Sequence, residues 1–169
     1  PDETLRQITG HPPKFSLAER MYFLDAVRYV SRVIPVAASA DVNRLPDLDG
    51  GVPDVWAVAA ADANHASRDF CRQHGIEYCE LPAAQMTGFP EPPPMPSPPG
   101  RKKVVATGCY DWFHTGHVRF TEEVSAYGDL YLVVGHDANI RSLKGAGHPL
   151  FPEDQRRYVV GSIKYVKQA

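Results

Sequence analysis

Gly108-Cys109-Tyr110-Asp111-Trp112-Phe113-His114-Thr115-Gly116-His117 places two histidines three residues apart at a strand-to-helix turn. Before this stretch, Lys103-Val104-Val105-Ala106-Thr107 reads as a short buried strand. After it, Phe120, Val124 and Tyr127 recur at helical spacing and Gly128 is a natural stop. A glycine lets the backbone come close to a ligand, and a helix start points free N–H groups at whatever sits there. Two imidazoles beside that helix start add donors suited to a phosphate chain.

Other readings of the same residues are weaker. A metal centre needs at least a third protein ligand, and the chain has no His-Glu-x-x-His or Cys-x-x-Cys. No metal ligand is therefore assigned. The turn also lacks the Gly-Lys-Ser/Thr ending of a P-loop and the three-glycine dinucleotide fingerprint.

Gly108-Cys109-Tyr110-Asp111 with His114-x-Gly116-His117 resembles the Gly-x-Phe-Asp-x-x-His-x-Gly-His signature of the cytidylyltransferase family. The resemblance continues through the strand Gly128 to Gly135, Asp137, Lys144-Gly145, and a helix opening Gln155-Arg156 and ending Lys164-Tyr165-Val166. It implies an α/β, Rossmann-like nucleotidyltransferase fold: a parallel sheet flanked by helices, with the nucleotide at the strand ends. The implied reaction transfers CMP from CTP to a phosphorylated alcohol and releases pyrophosphate. Phospholipid head-group synthesis would be the setting, and the phosphoethanolamine-using branch with paired repeats is the most similar. His114 and His117 would bond the CTP phosphates and stabilise charge on the leaving pyrophosphate. Lys144 would neutralise the phosphates of both substrates, and Gly108, Cys109, Tyr110, Asp111, Gly116 and Arg156 would line the nucleotide. Gly108 is expected to spare the nucleotide a collision, and Asp137 to shape the acceptor side. Mg²⁺ would arrive with CTP, held by few protein ligands. The alternatives are transfer of AMP by a relative in the same superfamily, or a non-catalytic, regulatory nucleotide-binding module.

Two departures from the family pattern stand out. The helix opens Gln155-Arg156 rather than Glu-Arg, and Lys167 stands where the family has an acidic residue after Lys164-Tyr165-Val166. The family's closing Arg-Thr-x-Gly-x-Ser-Thr-Ser segment does not occur.

An internal repeat organises the rest. Phe15 to Val30 aligns with Phe151 to Val166 at an offset of 136, with Phe, Arg, Tyr, Tyr and Val in register. Phe23, Val27 and Val30 fall on Val159, Ile163 and Val166, which predicts one shared buried helical face. Gly10-His11-Pro12 matches Gly147-His148-Pro149, and Asp2 with Arg6 matches Asp137 with Arg141. Residues 1–88 thus read as the second half of an upstream repeat, 89–100 as a proline-rich linker, and 101–169 as the first half of a downstream repeat. The expected origin is a segment of a longer tandem protein, or two halves packed as one permuted domain. In the upstream half, Arg32 to Val36, Asp54 to Ala59 and Glu77 to Leu81 read as strands, and Asn64 to His74 as a helix stopped by Gly75. Thr9 stands where the downstream copy has Lys144, so the upstream copy reads as a degenerate catalyst. Matching Gly-His-Pro turns make His11 and His148 structural residues on this reading.

The linker, Glu91 to Gly100, should be an extended spacer. A net charge of −2 argues against nucleic acid or an anionic membrane surface as partner. The expected partners are CTP and a phosphorylated alcohol, with pairing through a homodimer or a tandem domain. Three cysteines form no even framework, which points to a reducing compartment, and no apolar run reaches spanning length. A cytoplasmic setting is expected.

Overall fold

The computed structural model describes residues 2–36, 41–46, 48 and 51–169. The chain divides into two compact units, one of Pro1–Pro13 with Pro35–Gly88, the other of Lys14–Ile34 with Phe89–Ala169. Both carry parallel strands flanked by helices, the mixed α/β, Rossmann-like architecture expected from the sequence.

In the first unit, helix α1 (Asp2–Thr9) is followed by strand β1 (Val55–Ala59), helix α3 (His65–His74) and strand β2 (Glu77–Leu81). β1 and β2 pair in parallel, Val55 opposite Glu77 through Ala59 opposite Leu81. Asn64 caps α3 by accepting from the Ser67 N–H, and Gly75 ends it in the left-handed region at φ 69°. Residues 32–36, expected as a strand, form no ladder. Pro35 has no N–H to give one.

The second unit holds helix α2 (Leu17–Asp25), β3 (Lys103–Gly108), α4 (Thr115–Ser125), β4 (Asp129–Val134), α5 (Asp137–Lys144), α6 (Glu153–Gly161) and β5 (Val166–Gln168). The sheet order is β3-β4-β5, all parallel. Leu130 and Leu132 of β4 point into a core closed by Val118, Val160, Ile163 and Val166. Helix α4 forms where its spacing predicts, but it buries Val118 and Thr121 while Phe120 and Tyr127 face outward. Of the three apolar residues that mark the helix, only Val124 packs against the core. Gly128 ends the α4–β4 turn at φ 158°, where a Cβ would lie 2.2 Å from the Lys102 carbonyl oxygen. That same carbonyl accepts the Asp129 N–H.

The repeated helices have matching bounds: α2 and α6 are each nine residues, and α6 begins 136 residues after α2. Both end earlier than the sequence predicts, at Asp25 and Gly161. Val27 and Ile163 then meet in an antiparallel bridge instead of sharing a helical face. Arg28 N–H donates to the Ser162 carbonyl at 2.8 Å, and Lys164 N–H to the Ala26 carbonyl at 2.8 Å. Val27 meets its own counterpart, and the 136-residue offset exchanges the two flanking hydrogen bonds, so this contact has local two-fold symmetry. Above it, Glu122 of α4 accepts from Tyr22 Oη at 2.5 Å and Tyr165 Oη at 3.1 Å. Burial, followed by the Glu122 carboxylate, pushes the Tyr22 phenol up to about 12.

The proline-rich stretch is docked within this unit rather than free. Met95 N–H donates to the Lys167 carbonyl at 2.9 Å, and Lys167 Nζ donates back to the Met95 carbonyl. Arg28 Nη1 donates to the Pro93 carbonyl at 2.6 Å, and Pro92 lies against Gly161, where a Cβ would come within 3.1 Å. The Lys167 that departs from the family pattern thus fastens the linker.

Ile163 is 1 % exposed. Ile163→Ala should cost about 2–5 kcal/mol in urea unfolding. Val27→Ala, at a half-buried site, should cost less, and the double variant should fall short of the sum by at least about 0.5 kcal/mol. Strict additivity would mean that the bridge does not couple the two segments.

Candidate nucleotide site

Every turn of the segment from Gly108 to His117 is set by the chain's own sterics. Gly108 ends β3 directly under the ring of Tyr110, whose Cζ would sit 2.7 Å from an added Cβ. The collision that a glycine avoids here is thus with Tyr110. Tyr110 has φ 51°, the left-handed region a bulky residue seldom enters, and this folds its ring back over the strand end. Its hydroxyl is buried without a hydrogen-bond partner among the described residues, and burial raises the phenol above its usual range. Gly116 serves His114 in the same manner, since a Cβ there would meet the imidazole Cε1 at 2.8 Å.

The two histidines hold each other in one protonation pattern. His114 caps α4, its Nδ1 accepting the Gly116 N–H at 3.0 Å. His117 Nδ1 accepts the His114 N–H at 3.3 Å. A backbone N–H can only donate, so each Nδ1 must be bare and each neutral ring carries its proton on Nε2. The turn therefore presents two Nε2–H donors, with ring centroids 4.2 Å apart. Burial first, then the nearby charges of His114 and Lys144, lowers the His117 pKa from 6.5 and favours the neutral donor.

A cavity of about 450 Å³ gathers most of the expected site: Gly108, Cys109, Tyr110, Asp111, His114, His117 and Lys144 all line it. Gly116 lies beside it in the first turn of α4. Lys144 is the last residue of α5, where a cation also complements the helix dipole.

Asp137 and Arg156 do not line this cavity. Arg156 is 2 % exposed, and all its donors are directed inward. Nε donates to the Phe151 carbonyl at 2.9 Å and Nη1 to the Cys109 carbonyl at 2.6 Å. Nη2 donates to the Gly135 carbonyl at 2.8 Å and to Asp137 Oδ1 at 2.5 Å. The other oxygen of Asp137 accepts the Glu153 N–H at 3.3 Å and so caps α6. These two residues brace the strand ends instead of facing a ligand. One sequence signal could have shown it: Arg156 recurs as Arg20 in the copy where Lys144 has become Thr9. Arg20 Nη1 bonds the Phe15 carbonyl at 2.7 Å, the counterpart of the Arg156–Phe151 contact.

Asp111 is 6 % exposed and fully engaged. Oδ1 accepts the N–H groups of Leu150 (2.6 Å) and Phe151 (3.1 Å), and Oδ2 accepts from His148 Nδ1 at 3.0 Å. Burial alone would raise this carboxyl, but the His148 hydrogen bond and the two amides outweigh it and hold the pKa below its usual value. His148 lines the cavity beside Lys144, a placement that the turn reading of Gly147-His148-Pro149 missed. Among the described residues, no three His, Cys, Asp or Glu side chains group as a metal site. No helix among them is long and apolar enough to cross a membrane.

The His117 ring should titrate below 6.5 by NMR, and Lys144→Met should move the midpoint only part of the way back, because burial persists. Since the unfolded chain takes up the proton first, this ring's contribution to stability is complete above pH 6.5 and is lost as pH falls through the lowered folded value. A midpoint at or above 6.5 would contradict the burial. Arg156→Met should cost about 3–5 kcal/mol in denaturant unfolding, because it strands Asp137 and three carbonyls. A loss below about 1 kcal/mol would mean that the brace is dispensable.

Comparison with known proteins matches residues 105–169 to the family described as Cytidylyltransferase-like. The FAD synthase of Ferroglobus placidus is 48% identical over 69 residues, 40% of this chain and 43% of that protein. The bifunctional protein HldE of Aliarcobacter butzleri is 40% identical over 68 residues, 40% of this chain and 14% of that protein. HldE of Geotalea uraniireducens is 41% identical over 69 residues, again 40% of this chain and 14% of the relative. The chain thus spans less than half the length of these relatives. Two Nε2–H histidines at the start of α4 and a lysine lining the same cavity lie within residues 105–169, the segment that is similar to the Cytidylyltransferase-like family, to an FAD synthase and to HldE proteins.

Proposed function

We propose that the cavity between β3, α4 and α5 binds a magnesium nucleoside triphosphate and transfers its nucleoside monophosphate to a phosphorylated alcohol, releasing pyrophosphate. The supporting observation is the fixed pair of Nε2–H donors on His114 and His117, which share a cavity with the Lys144 ammonium. Neutral imidazoles donate to phosphate oxygens without needing protonation, and Lys144 offsets the repulsion between the donor phosphates and the incoming phosphate ester. Such transfers need little covalent help from the protein; positioning and fixed donors supply the rate. The metal would travel with the triphosphate, since Asp111 has both oxygens committed to chain donors.

CTP is the proposed donor and a phosphoethanolamine-like ester the proposed acceptor, on the likeness of the histidine signature to cytidylyltransferases. Adenylyl transfer is the second reading. It is favoured by the likeness to an FAD synthase, whose named product contains adenine.

Pyrophosphate release from Mg-CTP and Mg-ATP, each with phosphoethanolamine, phosphocholine and glycerol 3-phosphate, separates these readings. At least one of the two triphosphates should turn over with these esters, and His117→Ala should lower kcat by about 10²–10³-fold. Turnover with ATP alone would replace the cytidylyl reading by the adenylyl one. Binding of either triphosphate in a His117-dependent way, with no release from any pair, would make the segment a nucleotide-binding module.

A further inference from the structure

The cavity holds a third imidazole, and its polarity is opposite to that of the first two. His148 Nδ1 lies 3.0 Å from Oδ2 of Asp111, a carboxylate 6 % exposed and held ionised by two further amide donors. An ionised carboxylate only accepts, so His148 Nδ1 must carry a proton, and in the neutral ring Nε2 is left with a bare lone pair. The ring is anchored at Nδ1 while the side chain remains 40 % exposed and lines the cavity. Nε2, on the far edge of the ring, is therefore the atom offered to a ligand. His114 and His117 offer Nε2–H; His148 offers an acceptor backed by a negative charge.

In the neutral ring that polarity disfavours phosphate as the partner of His148 and selects an X–H group. His148 also reaches the cavity from the α5–α6 loop, four residues beyond Lys144, whereas the two donor imidazoles come from the start of α4. We propose that His148 is a specificity-determining residue whose Nε2 accepts a hydrogen bond from a hydroxyl or ammonium group on the phosphorylated acceptor, an inference that rests on the transfer reaction proposed above. The site then discriminates against esters that carry no N–H or O–H beyond the phosphate, because the lone pair would be buried by them without a partner.

Glycerol 3-phosphate and phosphoethanolamine bear such a donor, and phosphocholine bears none. In the full chain, His148→Phe keeps the ring volume and removes both nitrogens, while Leu150 and Phe151 still hold Asp111. KM for the two donor-bearing esters should rise about tenfold, with phosphocholine and the nucleotide unaffected. His148→Gln, whose amide oxygen can accept, should recover most of the loss. An equal change for all three esters, or no change, would reduce His148 to a loop strut and overturn the proposal. Calorimetric binding of the same esters separates the two inferences. His148-dependent binding of glycerol 3-phosphate without turnover of any pair would remove the transfer reaction and leave the contact standing. Turnover that discriminates no ester in either variant would remove the contact and leave the reaction. Binding of none of the three would overturn both.

Discussion

One buried guanidinium holds the carboxyl-end edge of the second unit's sheet together. Arg156 takes the carbonyls of Cys109, Gly135 and Phe151 and the carboxylate of Asp137, so it joins the residues just past β3 and β4 to the starts of α5 and α6. The Gly135 N–H, bonded to the Gly108 carbonyl at 2.9 Å, adds one more tie between the same strand ends. These segments have open backbone acceptors, which a parallel sheet leaves at its carboxyl end, and a single five-donor side chain satisfies several at once. A charge so placed is tolerable only because its donors are nearly all used. Cys109, which lines the cavity, is held through its carbonyl by this brace.

The chemistry of the site reduces to where protons sit on three imidazoles. Backbone amides strip Nδ1 of His114 and His117, while a carboxylate loads Nδ1 of His148. The same side chain thereby becomes a donor in two places and an acceptor in the third, with no change of residue type. Asp111 is central to this difference. It lies inside the signature stretch, yet its carboxylate is bonded to the loop 37 to 40 residues further on.

What was legible in the sequence was what short-range pattern encodes. The apolar run over Lys103 to Thr107, the glycine stops and the histidine spacing locate β3, α4 and β4 within a residue or two, although β3 is buried on one face only. Contacts across long separations were not legible. Nothing near Arg156 in sequence shows that it is buried, and an arginine at a helix start reads as surface or ligand-facing until its four acceptors are seen. The linker misled for a similar reason: proline content predicts an extended backbone, which it has, but not that Met95 and Lys167 would fasten it to β5. Helices α2 and α6 were overextended because apolar spacing continued past their ends, where Val27 and Ile163 serve a different contact.

The Val27–Ile163 contact carries a consequence for how its two sides can change. Were two separate identical chains to meet across such an axis, position 27 would face another position 27, and every substitution would appear on both sides at once. Here Val27 faces Ile163, and Arg28 and Lys164 occupy equivalent places with different partners: the carbonyls of Pro93 and Val166 for one, the carboxylate of Asp25 for the other. Because both sides belong to one polypeptide, they need not be the same. One side is free to anchor a linker while the other keeps its ion pair, so asymmetry accumulates at an interface whose geometry remains symmetric.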